Sequence, residues 1–356
     1  MAQRTTAIAN ATALAGPSLV PLPDAVVLIE GEIIRAAGPS NVVEVPAGAS
    51  VIDASGLTLA PGFIDSHVHI ALSEPSRVLA RGVTSVRDLG WPPQLIFPLV
   101  ERSRSVRFRG PSIVAAGQVL TAPDGYPTRA PWAPPDTGLE VPEPAAARAA
   151  VGRQVDAGAT VIKVALNPPV GPTLSREVLH AIVEAAHEKG LEVTGHVFGL
   201  AELDKALDAG IDELAHMLMS AEEIPDETLE RMSKQGVTVV PTLSIFFGCA
   251  LRIATDNLRR FLAHGGDVIY GTDLGNEGPR PGIDAREVRG MVAAGMSTLD
   301  VIKSATCNAA HRMRLPQTGQ IDTGKWADLV AFEGDPLRDE DALTRVAKVW
   351  RRGRLV

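Results

Sequence analysis

The sequence has few cysteines, no excess of basic residues and no long hydrophobic run. Its 356 residues include two cysteines, Cys249 and Cys307, and neither belongs to a Cys-x-x-Cys pair. A disulfide framework and a metal site of that type are therefore excluded. The net charge is −8 without any basic run, so nucleic acid is not an expected partner. No apolar stretch approaches the ~18–20 residues of a membrane-spanning helix, so no membrane partner is expected.

Length and composition instead favour a large globular core. The chain is 45% hydrophobic and contains 33 glycines and 27 prolines, which suits about two domains with many short connections. Arg4 and the small-residue run 7–16 loosely resemble a signal peptide. Asn10 and Thr12 interrupt that run, so we interpret it as strand and turn and expect a cytoplasmic protein.

The pattern of apolar residues changes near residue 58. Before that point, the segments 25–30, 31–38 and 50–53 have the character of short strands, and no helix-length period occurs. After it, strand, loop and helix alternate. Eight strands are predicted there, at 62–68, 84–89, 112–117, 160–166, 192–198, 212–217, 237–243 and 268–273.

Helical segments are predicted between most of these strands. The clearest begins after a Ser175 cap, carries Val178 and Ile182 on one face, and ends at Lys189 before Gly190. Others are predicted at 202–207, 225–235, 257–262, 284–295 and 297–313. Eight apolar strands joined by crossover helices predict an α/β fold, a (β/α)8 TIM-like barrel. A doubly wound open sheet is the alternative, but it usually has a glycine-rich nucleotide loop that this chain lacks.

Strand-like sequence returns near the end of the chain, at 328–332 and 347–350. The simplest domain organisation is therefore a barrel over residues 58–315 and a small β-sandwich domain formed by both chain ends, 1–57 and 316–356.

Two long connections, 118–143 and 274–283, follow the C-terminal ends of predicted strands. Barrel active sites are built at those ends.

A His-x-His pair lies in the first barrel strand, within the segment Ala60–Ile70. His67 and His69 are two residues apart, so on a strand they point the same way. Such a pair can clamp a metal ion, although two polar residues at a strand end would give the same pattern.

Ligand-type side chains also stand near the ends of four later strands, and these are Lys163, His196, His216 and Asp273. In a barrel these ends converge on one mouth, so the six side chains would meet there. A lysine inside an apolar strand also needs a partner or a chemical change. The six residues form a candidate metal centre.

The motifs around these residues resemble the amidohydrolase superfamily, in particular its imidazolonepropionase/prolidase-like branch, and the resemblance covers nearly the whole chain. Pro61–His69 is similar to the family's first strand and Gly82–Leu89 to its second strand. Gly271–Asp273 is similar to the segment with the eighth-strand aspartate, and Ala305–Ala310 with Gly319–Val330 is similar to the family's tail.

The resemblance implies a cofactor of two divalent metal ions. It assigns His67, His69 and Asp273 to the more buried ion, His196 and His216 to the second, and Lys163, carboxylated by CO₂, to both. Zinc is the expected metal, and manganese, cobalt or iron would suit the same ligands.

The chemistry implied is hydrolysis by a metal-bridging hydroxide, with Asp273 as the catalytic residue that passes the proton to the leaving group. The expected substrate is a small molecule with an amide-type C–N bond or a related lactam, lactone, ester or carbamate.

A mononuclear deaminase of the same superfamily is the alternative. Such deaminases usually place a glutamate one turn after the fifth-strand histidine, whereas Glu202 stands six residues after His196. A non-catalytic barrel scaffold is a third interpretation, but scaffolds have typically lost metal ligands.

The loops supply candidate substrate contacts, which are Tyr126, Arg129, Trp132, Phe246 and Arg280. The segment 124–126 reads Asp-Gly-Tyr where many prolidase-like members carry Gly-Gly-His, and Phe198 stands where dipeptidase-like members often have tyrosine. These departures do not match a dipeptidase.

The remaining histidines have structural interpretations. His180 and His187 share a helix face with Glu184, which we expect to be solvent-exposed. Arg87 and Asp88 end the second strand, where an ion pair bracing the barrel is expected. A homo-oligomer is possible.

Overall fold

The computed structural model describes residues 5–356, so residues 1–4 of the predicted first segment lie outside the described part. That part contains eighteen strands and ten α-helices. The strands are β1 Thr5–Ala15, β2 Val20–Glu30, β3 Ile33–Pro39, β4 Ser50–Asp53, β5 Leu57–Pro61, β6 Phe63–Val68, β7 Val83–Asp88, β8 Ser112–Ala115, β9 Val119–Thr121, β10 Gly138–Glu140, β11 Ile162–Leu166, β12 Val193–Val197, β13 Glu213–Leu214, β14 Thr238–Val239, β15 Asp267–Val268, β16 Leu329–Glu333, β17 Val346–Arg351 and β18 Arg354–Leu355. The helices are α1 Pro75–Ala80, α2 Pro93–Ser103, α3 Pro144–Ala157, α4 Arg176–Glu188, α5 Leu200–Ala209, α6 Asp226–Lys234, α7 Gly248–Ala263, α8 Ala285–Ala293, α9 Thr298–Ser304 and α10 Cys307–Arg312. The predicted mixed α/β class is confirmed.

Both ends of the chain contribute to one eight-stranded sheet. Its strand order is β18-β17-β16-β5-β1-β2-β3, and β4 pairs separately with β1. The N-terminal and C-terminal parts meet where β16 pairs antiparallel with β5. Because β5 belongs to this sheet, the predicted domain boundary after residue 57 falls within a strand. Buried Ile8, Leu59, Leu329 and Trp350 pack together in its core.

The other two sheets are parallel and carry most of the helices. One has the order β6-β7-β8, and the other has the order β10-β9-β11-β12-β13-β14-β15. Backbone hydrogen bonds connect them at both sides, from Thr160 to Ala115 (3.0 Å) and from Asp273 to His67 (2.8 Å). The sheet pairing does not in itself establish a closed barrel or a β-sandwich, so both remain predictions.

Three of the later strands are shorter than the sequence predicts. The predicted strands 212–217, 237–243 and 268–273 contain regular pairing only in β13, β14 and β15. Thr242 and Asp273 have positive φ angles of 46° and 58°, which extended backbone does not allow. The chain therefore leaves the strand before it reaches the site.

Two helix predictions need correction. The predicted helix 257–262 is the C-terminal part of α7, whose N-cap residue, Phe247, has no side-chain cap that would have marked the start. The predicted helix 297–313 is divided into α9 and α10, because Thr306 between them is not helical (φ −134°, ψ −96°). Helix α4 begins at the predicted Ser175 cap, whose hydroxyl accepts from the Val178 N–H.

Within the described residues, no helix combines the length and the apolar character needed to cross a bilayer.

Candidate metal centre

His67 and His69 lie at the end of β6 with one nitrogen each directed to the same point. The Nδ1 atom of His67 is 2.8 Å from the carbonyl oxygen of Ala215, and that of His69 is 3.2 Å from the carbonyl of Gly90. Carbonyls accept hydrogen bonds, so each Nδ1 carries the proton and each Nε2 keeps a free lone pair. Backbone carbonyls thus fix both rings in the tautomer that binds a metal through Nε2.

Asp273 completes a group of three candidate ligands with these two histidines. Its Oδ1 atom lies 3.2 Å from Nε2 of His67 and 3.3 Å from Nε2 of His69, and all three residues are buried. One ligand atom from each lies within 4.8 Å of the others. Two lone pairs and a carboxylate oxygen repel each other unless a cation lies between them, so this arrangement suits a metal ion.

Asp65 holds this group in place, and sequence reasoning missed it. Its Oδ1 accepts from the backbone N–H groups of His67 (3.2 Å) and Thr272 (3.0 Å), and its Oδ2 accepts from the Thr272 hydroxyl (2.6 Å). Asp65 therefore connects β6 with the segment that carries Asp273. An acidic residue inside the apolar run 60–70 was the available signal.

His196 and His216 form the other side of the site. Their ring centroids lie 5.0 Å apart, and those of His67 and His216 lie 4.7 Å apart. Nδ1 of His216 is 2.9 Å from the Thr242 hydroxyl, which leaves its Nε2 free. Nε2 of His196 is 3.1 Å from the side-chain amide nitrogen of Asn167, and because an amide N–H donates, this ring nitrogen accepts the hydrogen bond. The role of Asn167 was not predicted.

Lys163 lies in β11 and faces the same space. Its side chain is 3% exposed, and its Nζ atom has no hydrogen-bond partner within the described residues. Burial lowers the pKa of its ammonium group to about 7. Burying an amine without a hydrogen-bond partner is energetically unfavourable. The lysine is therefore a position where an added anionic group would stabilise the site.

Burial also controls the charge of the histidines. It lowers the pKa of His67 and His196 well below the usual value, and that of His216 to about 3. These three imidazoles are therefore neutral, which is the form that binds metals. Burial opposes charge on His69 as well, but the adjacent carboxylate of Asp273 outweighs it and raises the pKa. Burial raises the pKa of Asp273, but the adjacent His67, His216 and His69 outweigh burial and hold that pKa well below its usual range.

A buried ion pair supports the strands beneath the site. Arg87 on β7 donates to Glu213 on β13 (2.5 Å) and to the carbonyl of Ser66 (2.8 Å). Asp88 forms no ion pair within the described chain and instead accepts from the N–H groups of Ile70 and Gly90. The expected ion pair of Arg87 is therefore made with Glu213, and it connects β7 with β13, the strand that precedes His216.

The six predicted ligands, His67, His69, Lys163, His196, His216 and Asp273, line one cavity of about 260 Å³. Two of the predicted substrate contacts also line it. The Tyr126 ring lies 5.0 Å from that of His196, and the Trp132 ring lies 4.9 Å from that of His69. The Trp132 indole N–H donates to the Tyr126 hydroxyl at 3.1 Å, so the two rings form a connected wall.

The other three predicted substrate contacts do not line this cavity. Arg129 is exposed and forms an ion pair with Asp124. Arg280 lines a separate cavity. Phe246 is buried, and its neighbour Phe247 lines the site instead, since successive side chains of extended backbone point to opposite sides. Other lining residues that were not predicted are Leu89, Val119, Ala165, Met219, Ile245, Asn276 and Glu277.

His180 and His187 lie on the exposed face of α4, and His187 is 2.9 Å from Asp212.

The donor set fits divalent metals on two observations. Imidazole nitrogens and carboxylate oxygens are ligands for zinc, manganese and iron. The buried Lys163 Nζ and Asp273 Oδ1 atoms also lack hydrogen-bond partners within the described residues. A bound cation and an added anionic group would satisfy both.

Residues 58–356 match the Amidohydrolase family. The chain therefore belongs to that family, whose members generally use divalent metals.

Individual relatives have several activities. The chain is 30% identical over 240 residues to an ochratoxinase of Aspergillus niger, covering 58% of this chain and 48% of the relative. It is 30% identical over 329 residues to adenine deaminase 2 of Rhizobium meliloti, covering 86% of this chain and 50% of the relative. The chain thus spans about half the length of these two curated relatives. A solved Xaa-Pro dipeptidase with methionine in its active site is 25% identical, covers 99% of both chains and has a TM-score of 0.84.

Proposed function

We propose that this protein is a binuclear metal-dependent hydrolase that cleaves an amide-type C–N bond of a small molecule, or a related lactam, lactone, ester or carbamate. Membership of the Amidohydrolase family and similarity to an ochratoxinase and a dipeptidase support hydrolysis of C–N bonds. The observation that carries the binuclear assignment is the buried, unpartnered Lys163 amine in a cavity that four histidines and Asp273 also line.

The proposal includes the architecture. We propose that the two parallel sheets close into a (β/α)8 barrel over residues 58–315, with a β-sandwich from both chain ends beside it. The hydrogen bonds from Thr160 to Ala115 and from Asp273 to His67 support closure, since they join the two sheets at both sides.

The chain supplies ligands for two ions. His67, His69 and Asp273 would hold one, and His196 and His216 would hold the other. When bound, such ions, with zinc as the first candidate, supply an acidified water and polarise the scissile carbonyl.

Lys163 would connect the two groups of ligands as a carbamate. Its neutral amine forms an N–C bond to CO₂ and loses a proton, which converts a poor ligand into an anionic one. Burial among apolar residues of β11 favours the neutral amine that this reaction needs.

Asp273 would take up the proton released by the attacking water and transfer it to the leaving nitrogen. Its carboxylate is ionised and buried, and its Oδ1 atom has no hydrogen-bond partner within the described residues. A buried carboxylate at this position is within reach of the attacking water and can hand the proton on.

Metal analysis of Lys163→Ala tests the proposal. We expect about two metal ions per wild-type chain, and a variant that loses metal and on the order of 100-fold or more in kcat/KM. A short carboxylic acid such as propionate should restore part of the rate, because it can replace the missing carbamate. Lys189→Ala, an exposed lysine at the end of α4, is the control. Normal metal content and rate in Lys163→Ala would contradict the proposal.

A mononuclear deaminase is the second candidate. Similarity to adenine deaminase 2 over 86% of this chain favours it, as does the compact group of His67, His69 and Asp273, which would hold one ion. Ammonia release from adenine, one ion per chain and an unchanged rate in Lys163→Ala would establish this alternative.

A further inference from the structure

The cavity of the candidate metal centre contains one basic side chain, Lys163, among its described lining residues. That lysine is assigned to the metal centre in the proposed function, and the inference below rests on that function. The four lining histidines are assigned to the metal ions in the same function. Within residues 5–356, no arginine lines the cavity.

Three arginines of the surrounding segments, Arg129, Arg280 and Arg286, are not among the described lining residues. Arg129 is paired with Asp124 at the surface, and Arg280 lines a different cavity. Arg286 lies behind the wall, with its guanidinium 4.3 Å from the centre of the Phe247 ring and hydrogen-bonded to the carbonyl of Phe246 (2.9 Å). A carboxylate inside the cavity would therefore find no cationic partner, apart from the metal centre.

Among the lining residues that the structure describes, one charged side chain, Glu277, lies outside the proposed ligands, and its charge is negative. Glu277 lines the cavity from the loop after β15, is exposed, and forms no ion pair with any described residue. At this position its charge repels an entering anion and attracts a cation.

The remaining wall is apolar and aromatic. Tyr126 and Trp132 form one side, and Met219, Ile245 and Phe247 contribute further apolar surface. Such a wall favours a ring or a branched apolar group, and a carboxylate transferred into it loses its water without gaining a hydrogen-bonded cation.

We propose that the substrate is a small aromatic amide whose portion beyond the scissile bond is uncharged or cationic, and that the site discriminates against amides carrying a free carboxylate. N-acyl amino acids and dipeptides with a free C-terminus are poor substrates on this proposal.

A pair of substrates that differ in a single group tests this inference. The pair is N-benzoyl-phenylalanine amide and N-benzoyl-phenylalanine. Hydrolysis of the benzoyl amide bond releases benzoate from both, and the first has a carboxamide where the second has a carboxylate. With the metal-loaded enzyme we expect kcat/KM to be about 10-fold or more higher for the carboxamide. Equal values, or a preference for the carboxylate, would overturn the inference and leave the hydrolase assignment intact.

Glu277→Arg tests the source of the discrimination. The variant should narrow the ratio of the two kcat/KM values about 10-fold, because kcat/KM for the carboxylate rises when its repulsion becomes attraction. Glu184→Arg makes the same charge change on the outer face of α4 and should leave the ratio unaltered. An unchanged ratio in Glu277→Arg would contradict the role of Glu277.

Failure of the proposed function gives a different result. The enzyme could contain its full metal complement and still release benzoate from neither compound. If it also hydrolysed no other pair of amides that differ only in a carboxamide or a carboxylate, it would not be the proposed hydrolase. The substrate preference would then be rejected with it.

Discussion

The four histidines of the site do not use the same ring nitrogen. His67, His69 and His216 have Nδ1 next to a carbonyl or hydroxyl oxygen, whereas His196 has Nε2 next to the Asn167 amide. Nε2 therefore stays free in the first three rings, whereas in His196 it accepts from the amide N–H of Asn167. These neighbours orient each ring before any ion binds, which reduces the ordering that binding requires.

Replacing Asp273 by asparagine separates its two proposed roles. Asn keeps the shape and one ligand oxygen but cannot accept a proton, so we expect much of the metal to remain while kcat falls on the order of 100-fold or more. Metal analysis together with kcat on the preferred amide checks this. Asp156→Asn, on the exposed face of α3, is the matched control. A near-normal kcat in Asp273→Asn would remove the proton-transfer role.

Single residues differ in how well the sequence predicts them. His67, His69, His196 and His216 could be proposed because their residue type and strand-end position already indicate metal chemistry. Glu277 could not, because a lone acidic residue in a loop has no distinguishing pattern. Arg129 and Arg280 were predicted to contact the substrate, but neither lines the cavity of the site. Loop conformation decides where a long side chain points, and the sequence does not show that conformation.

Among the elements, the junction between β5 and β6 joins the eight-stranded sheet to the parallel sheets. Gly62 stands there, donates to the carbonyl of Asp328 (2.8 Å), and lies against the buried side chain of Thr84. A Cβ atom at residue 62 would overlap the Thr84 side chain. The junction therefore requires glycine because of close packing.

Gly62→Ala should lower the free energy of unfolding by about 1–3 kcal/mol, the usual cost of overpacking a tight site. Urea titration measures this. Gly152→Ala in the middle of α3 is the matched control, since a Cβ there meets nothing within 4 Å and alanine favours helix by about 0.5–1 kcal/mol. If Gly62→Ala were as stable as the wild type, the junction would not be closely packed.

Elements with local signals were predicted well. Helix α4 has a cap, an apolar face and a terminal glycine, and its predicted limits are close to Arg176–Glu188. The strands β13, β14 and β15 were predicted too long. An apolar run looks the same whether or not it is hydrogen-bonded as a strand, and the departure at Thr242 and Asp273 depends on contacts between distant segments.

On the scale of the whole molecule, several buried acids should make stability depend on pH, and Glu287 is one of them. Glu287 is fully buried on α8, and only its Oε2 atom accepts a hydrogen bond, from the Ser244 N–H (2.8 Å). Burial raises its pKa from the model-compound value of 4.5 to about 8. The folded protein therefore binds a proton between these values that the unfolded chain has already lost. This group's contribution to stability falls as pH rises from about 4.5 to about 8 and is constant above that.

Glu287→Gln should remove this dependence, because the amide stays neutral at every pH. The variant should match the wild type near pH 4.5 and exceed it at pH 9 by a few kcal/mol, on the order that such a pKa shift implies. Urea midpoints at both pH values, at fixed metal content, provide the measurement. Glu184→Gln on the exposed face of α4 is the control. If the stability of Glu287→Gln fell with rising pH as much as that of the wild type, the pH dependence would belong to another group.

Residue types and their spacing were sufficient for the mixed α/β class, the family and the candidate ligands. Strand alternation, helix caps and ligand chemistry are local properties, and they are written in short stretches such as Ala60–Ile70. Folding decided which groups stand around those ligands, because residues far apart in the chain meet only there. Asp65 next to Thr272, Asn167 next to His196, and a cavity without arginine are results of this kind.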